Sequence, residues 1–143
     1  MDALDLTARP PRSSSEQLGG LIMLGRTIDK LRATLPGGNP GVYYIRGFSA
    51  TMLKELGIEE DALRDVVARA DSDDDVVAWV REHSDPSRYD EINALLRKRR
   101  IADRIDDADF VARYPVIASL PPEMPLIEML DHDDRAMFER SAT

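Results

Sequence analysis

Only one segment of this 143-residue chain, Val42-Tyr43-Tyr44-Ile45, reads as a strand, and a lone strand has no partner with which to make a stable sheet. It has to serve as an extended strap, or as half of a hairpin whose other half the pattern does not display. The expected fold class is therefore all-α: a compact single domain over residues 1–143, built as a bundle of five to seven short helices. An extended N-terminal arm is expected over 1–15, a Pro-rich strap near the other end, and fraying over 140–143. The hydrophobic fraction of 43% is enough for a packed core. With few aromatic residues, that core must draw on Leu, Ile, Val and Met.

Pro10-Pro11 and the serine run keep the arm out of a helix. Ser13 or Ser14, with Glu16 or Gln17 three residues on, gives a helix-start signal. Leu21, Leu24, Ile28, Leu31 and Leu35 then recur at helical spacing, which predicts one long first helix stopped by Pro36-Gly37-Gly38. Gly19, Gly20 and Gly25 inside it would cost about 1 kcal/mol each relative to Ala. Close approach of the arm or of the tyrosine strap is the expected compensation.

Ser49 is expected to cap a short helix ending at Gly57. Glu59, Glu60 and Asp61 open the next, which buries Leu63, Val66, Val67 and Ala70. Ser72 with Asp75 opens a third, carrying Val76, Val77, Trp79 and Val80, with Trp79 in the core. Asp85-Pro86 starts a helix burying Tyr89, Ile92, Leu95 and Leu96. A short helix follows over Asp107 to Arg113, then a strap with four prolines from Tyr114 to Pro125, then a last helix from Leu126 to Glu139.

A formal charge of −8 argues against nucleic acid as a partner. The one basic run, Arg97 to Arg100, fits the C-terminal end of a helix. Leu56-Gly57-Ile58 has the form of a helix-turn-helix corner, but acids surround it. The absence of cysteine removes disulfides, thiolate metal sites and Cys nucleophiles. No apolar run approaches the ~20 residues of a membrane span, and the acidic N-terminus does not resemble a secretory signal. Cytoplasm is the default location. Two histidines are too few for a zinc centre, and no Lys-Ser/Thr follows the Gly37–Gly41 turn to make a phosphate loop. Neither metal nor cofactor is expected.

Among polar residues Asp29 is the most informative. On the predicted helix it lies beside Leu18, Ile22 and Gly25, with Arg26 and Lys30 further round towards solvent. A carboxylate there needs a partner: an arginine of the arm (Arg9 or Arg12), Arg26, or one from another helix. It would act as a structural ion pair, as a general acid or base, or as an anchor for a cationic ligand. Tyr43, Tyr44 and Trp79 are candidates to line a pocket. Asp131-His132-Asp133-Asp134 cannot converge on a cation if helical, and reads as a solvated acidic turn.

Asp5-Leu6-Thr7, Arg9, Pro11-Arg12-Ser13, Leu18-Gly19-Gly20, Leu24, Arg26, Ile28-Asp29-Lys30 and Arg32-Ala33 form an ordered block. With Gly57-Ile58, Ala78-Trp79-Val80, Leu130-Asp131 and Asp133-Asp134, it resembles the bacterial domain of unknown function family 5069. The chain departs from the family pattern at Gly47-Phe48-Ser49-Ala50, where a Pro-Leu-Asp-like triplet is common, and at Ile127 and Met129, where a tryptophan is common. The resemblance implies no settled activity. It does imply that Asp131 and Asp134 belong to a positionally fixed block, which makes them the second site candidate. The leading expectation is a binding or interaction module whose partner is a protein or a small molecule. The alternative is a metal-independent enzyme acting on a metabolite through a carboxylate/arginine/tyrosine pocket drawn from Asp29, Arg26, Tyr43, Asp131 and Asp134.

Overall fold

In the computed structural model, residues 1–142 are described, with side chains through Arg140. Among them there are seven α-helices and no sheet; strand-like pairing is confined to isolated bridges at Asp5–Asn39, Leu18–Leu21 and Arg100–Pro125. Helix α1 (Leu24–Arg32) is the axle, buried at every residue from Leu24 to Leu31. It packs on α2 (Phe48–Leu56) and α3 (Glu60–Arg69). Helix α4 (Asp73–Glu82) lies on α3, and α5 (Tyr89–Arg97) lies on α2 and on α7 (Leu126–Ala142). The short α6 (Ala108–Arg113) packs on the 3-10 turn Pro115–Ser119, which in turn packs on α7. None of these helices is long and apolar enough to cross a membrane.

The largest apolar cluster joins α1 to α5 through residues such as Ile28, Met52, Leu63, Val80 and Leu96. A second, of Ile101, Ile117, Leu126 and Met129, lies under α6 and the proline strap, and Phe48 touches both. The third, Leu6, Ala33 and Tyr43 with Leu4, Met137 and Phe138, ties the arm and the tyrosine segment to α7. The strap is sewn on by Ile101 N–H to Met124 O at 3.0 Å and Leu126 N–H to Arg99 O at 2.8 Å.

Several expectations need correction. The first helix begins at Leu24, not at the serines. Gly19 (φ 61°) and Gly20 (φ 89°) make a two-residue turn closed by paired Leu18–Leu21 backbone bonds of 2.9 and 3.1 Å, the geometry that favours Gly-Gly in tight hairpins. The serines serve α7 instead. Ser13 Oγ donates to Asp131 at 2.6 Å, Ser14 N–H to the same carboxylate at 3.1 Å, and Ser14 Oγ to Ile127 O. Residues 42–45 leave a turn closed by Tyr43 N–H to Pro40 O at 2.9 Å and run on as irregular backbone, not a strand, with Tyr43 buried and Val42 and Tyr44 exposed. Gly47, not Ser49, stands at the N-terminal cap of α2. Leu95 is exposed, and Trp79 is half-buried with its ring stacked on His83 at 4.1 Å.

Other local signals act as read. Asp107 accepts from Phe110 N–H at 3.1 Å and opens α6. Gly57 closes α2 in the left-handed region, with Ile58 N–H reaching back to Leu53 O at 3.0 Å. Helix α7 extends through residue 142; of the end expected to fray, the side chains of 141 and 142 and all of residue 143 lie outside the described residues.

Candidate functional site

Helix α1 carries charge into the core. Arg26 is 3% exposed, Asp29 5% and Lys30 7%, which corrects the placement of Arg26 and Lys30 towards solvent. Asp29 faces the arm. Arg12 donates to it from its backbone N–H (2.8 Å) and from Nε (3.2 Å), and forks onward to Asp73 of α4 at 2.7 and 3.1 Å. Burial disfavours the Arg12 charge, but its bonds to Asp73 and Asp29 outweigh that and hold its pKa above the ordinary arginine value. Gly25 lets this happen: a Cβ there would stand 3.3 Å from the Arg12 guanidinium. Asp29 is therefore a junction of arm, α1 and α4. Asp131 is the junction of the arm with α7 through the two serines.

Arg26 faces the other way. Its guanidinium donates to both oxygens of Asp134 on α7, at 2.6 and 3.2 Å, and Tyr43 Oη donates to the same carboxylate at 2.8 Å. Burial, followed by the nearby Asp134 charge, raises the Tyr43 pKa, so the phenol stays protonated as a donor. Arg26 Nη1 also donates to Arg12 O at 3.3 Å, which links the two groups of charges. Arg26 Nε is buried and has no hydrogen-bond partner among the described residues. Of the five sequence candidates, Arg26, Tyr43 and Asp134 thus meet in one site, while Asp29 and Asp131 hold the arm.

Arg26, Tyr43 and Asp134 all line a cleft of about 470 Å³. Arg26, Lys30 and Met23 form one wall, and the turn from Val42 to Phe48 with Arg46 forms another. Arg99, Arg104, Arg113, Phe110 and Tyr114 also line it, and α7 supplies Met129, Asp133, Asp134 and Arg140. Among the described residues lining it, seven cations stand against two carboxylates, the reverse of the chain's overall balance. A groove along α5 is larger, about 840 Å³, but its Arg88 is already paired with Glu55 and Glu91.

Lys30 was not among the sequence candidates. Its Nζ has one hydrogen bond, to Ser49 Oγ at 3.3 Å, and makes no ion pair among the described residues. Ser49 in turn shares a 3.0 Å bond with Thr27. Burial and the neighbouring Arg26, with Arg46 adding to them and Asp134 opposing, push the Lys30 pKa down to about 7. Asp133, half-buried beside Asp134, is pushed up, with Arg140 and Arg26 opposing the rise. A signal was present in the sequence: Arg26 and Lys30 are like charges at i, i+4, a spacing that is unfavourable on a helix. The distal arginines gave none, since α6 and the strap are brought to α1 only by the fold.

No curated protein matches the chain. The profile described as "Domain of unknown function (DUF5069)" matches residues 8–135, a span that runs from the arm through α1 and the cleft to Asp134 and Arg135 on α7. The chain belongs to the DUF5069 family.

Proposed function

We propose that this chain is a binding protein for a small organic anion, a carboxylate or phosphate ester with an apolar body, held in the cleft between α1, α6 and α7. One observation carries the reading: a chain of net charge −8 gathers seven cations and only two carboxylates around a single cavity. Both Arg26 and Tyr43 direct their bonds to Asp134, so that carboxylate is taken, and Lys30 makes no ion pair among the described residues. Convergent cations in a low-dielectric cleft focus potential on an incoming anion. The volume falls within the range of small-molecule sites, and Phe48, Phe110 and Tyr114 offer apolar surface to the rest of the ligand.

The test is thermal protection and calorimetry with pyrophosphate and citrate, with spermidine as the cationic control. The two anions should protect and spermidine should not. Arg46→Glu, in the cleft, should abolish protection; Arg69→Glu, exposed at the end of α3, changes the net charge equally and should leave it intact. Equal losses from the two reversals would mean that the anions respond to overall charge, and the reading would fail.

A further inference from the structure

We propose that Lys30 is a covalent site, an amine that condenses with the carbonyl group of an anionic aldehyde or ketone bound in the cleft. This rests on the anion-binding reading and extends it from a charge preference to a chemical class. The geometry comes first. Lys30 lies on the buried helix α1 yet lines the cleft, and its nitrogen has a single acceptor among the described residues, Ser49 Oγ at 3.3 Å. An ammonium has three N–H donors, so most of its capacity is unspent. A lysine buried for structure alone pairs with a carboxylate. Here the acid whose charge acts on it, Asp134, takes two bonds from Arg26 and a third from Tyr43. The charged groups acting on Lys30 are Arg26 on its own helix, Arg46 before α2, and Asp134 on α7, two cations against one acid. Burial first, and then that field, disfavour the positive charge and leave the amine pKa at about 7, so a substantial neutral fraction is present at neutral pH.

The reaction balances without an added oxidant or reductant. The nitrogen lone pair of the neutral amine forms a bond to the carbonyl carbon, and the C=O π pair moves to oxygen. One N–H proton transfers to that oxygen to give a carbinolamine. The C–O bond then breaks and the oxygen leaves as water with the second proton, leaving a C=N bond to Nζ. The surrounding arginines hold the anionic group of the same molecule, which places the carbonyl carbon near the amine and raises its local concentration.

The experiment uses the intact chain and pyridoxal phosphate as probe, with imine absorbance followed, then borohydride reduction and peptide mass spectrometry. The chain has three lysines, Lys30, Lys54 and Lys98, so the other two are internal references. Lys30 should be fixed first, with a rate at limiting probe concentration that reaches half its maximum near the pKa of about 7. Pyridoxal, which lacks the phosphate, should react at Lys30 slower by about tenfold or more, the gain a cationic cleft gives a charged reactant. Pyridoxine phosphate, which lacks the carbonyl, should protect Lys30. Labelling of Lys54 or Lys98 as fast as Lys30 would overturn the proposal. So would an unlabelled Lys30 in a chain that binds pyridoxine phosphate, an outcome that leaves the anion-binding reading standing. Failure of both phosphates to bind would remove both.

Discussion

At the scale of single residues, the pair most exposed to disruption is Arg26–Asp134, whose side chains are 3% and 6% exposed. Two charges this deep gain little net stability from each other, because their attraction mainly offsets lost hydration; removing one is another matter, since the partner is then buried and unpaired. Asp134→Ala should therefore cost about 3–5 kcal/mol in urea unfolding. It also strips the acceptor from Tyr43 Oη. Arg26→Met should be similarly damaging, yet the double change Arg26→Met with Asp134→Ala should cost clearly less than the two singles added, because neither charge is then stranded. Strict additivity would show that the pair is not a unit. Asp29 shows how a residue can be read well for a faulty reason. Its burial and its arginine partner from the arm follow from chemistry visible in the sequence, as does its neighbour Gly25, but the other two neighbours assigned by the helical wheel do not. Leu18 and Ile22 precede the helix, and Arg12 and Gly25 make the environment.

At the scale of elements, the sequence was legible wherever the signal was local. Gly57, Asp107 and the acids that open α3 do what their chemistry favours at helix ends. The stretch from Ser13 to Met23 was not legible, because its apolar spacing fits a helix while its partners lie far along the chain. Ser13 and Ser14 are claimed by Asp131, more than a hundred residues away, and the Gly19-Gly20 turn is read as helix interior unless both glycines are taken as left-handed. This turn gives a direct test. A Cβ on Gly19 would stand 2.6 Å from Val77 Cγ1, and its φ of 61° is costly for any other residue. Gly19→Ala should destabilise by about 1–3 kcal/mol, combining backbone strain with the clash. Adding Val77→Ala should return the clash portion and leave the backbone portion. A Gly19→Ala protein that melts like the wild type would show that this segment can adopt helix after all.

At the scale of the whole molecule, the fold places a cation-rich cleft inside an acidic chain, and Lys30 couples that arrangement to pH. Its ordinary pKa is 10.5 and the folded chain holds it at about 7, so the unfolded state binds the proton more tightly. Below about pH 7 both states are protonated, and folding bears the full cost of burying the charge. Between 7 and 10.5 the unfolded chain carries more protons, so the Lys30 contribution to stability rises with pH; above that range it is fully present. Lys30→Met removes the titration. The variant should therefore melt above the wild type at about pH 6, and its advantage should shrink steadily towards about pH 9. A melting difference that is flat across that interval would show that Lys30 does not titrate within it. An anion in the cleft favours the charged amine, and by reciprocity the charged amine favours the anion. Pyrophosphate should thus raise the Lys30 pKa, shift the start of the window to higher pH, and narrow the gap between variant and wild type on the acid side.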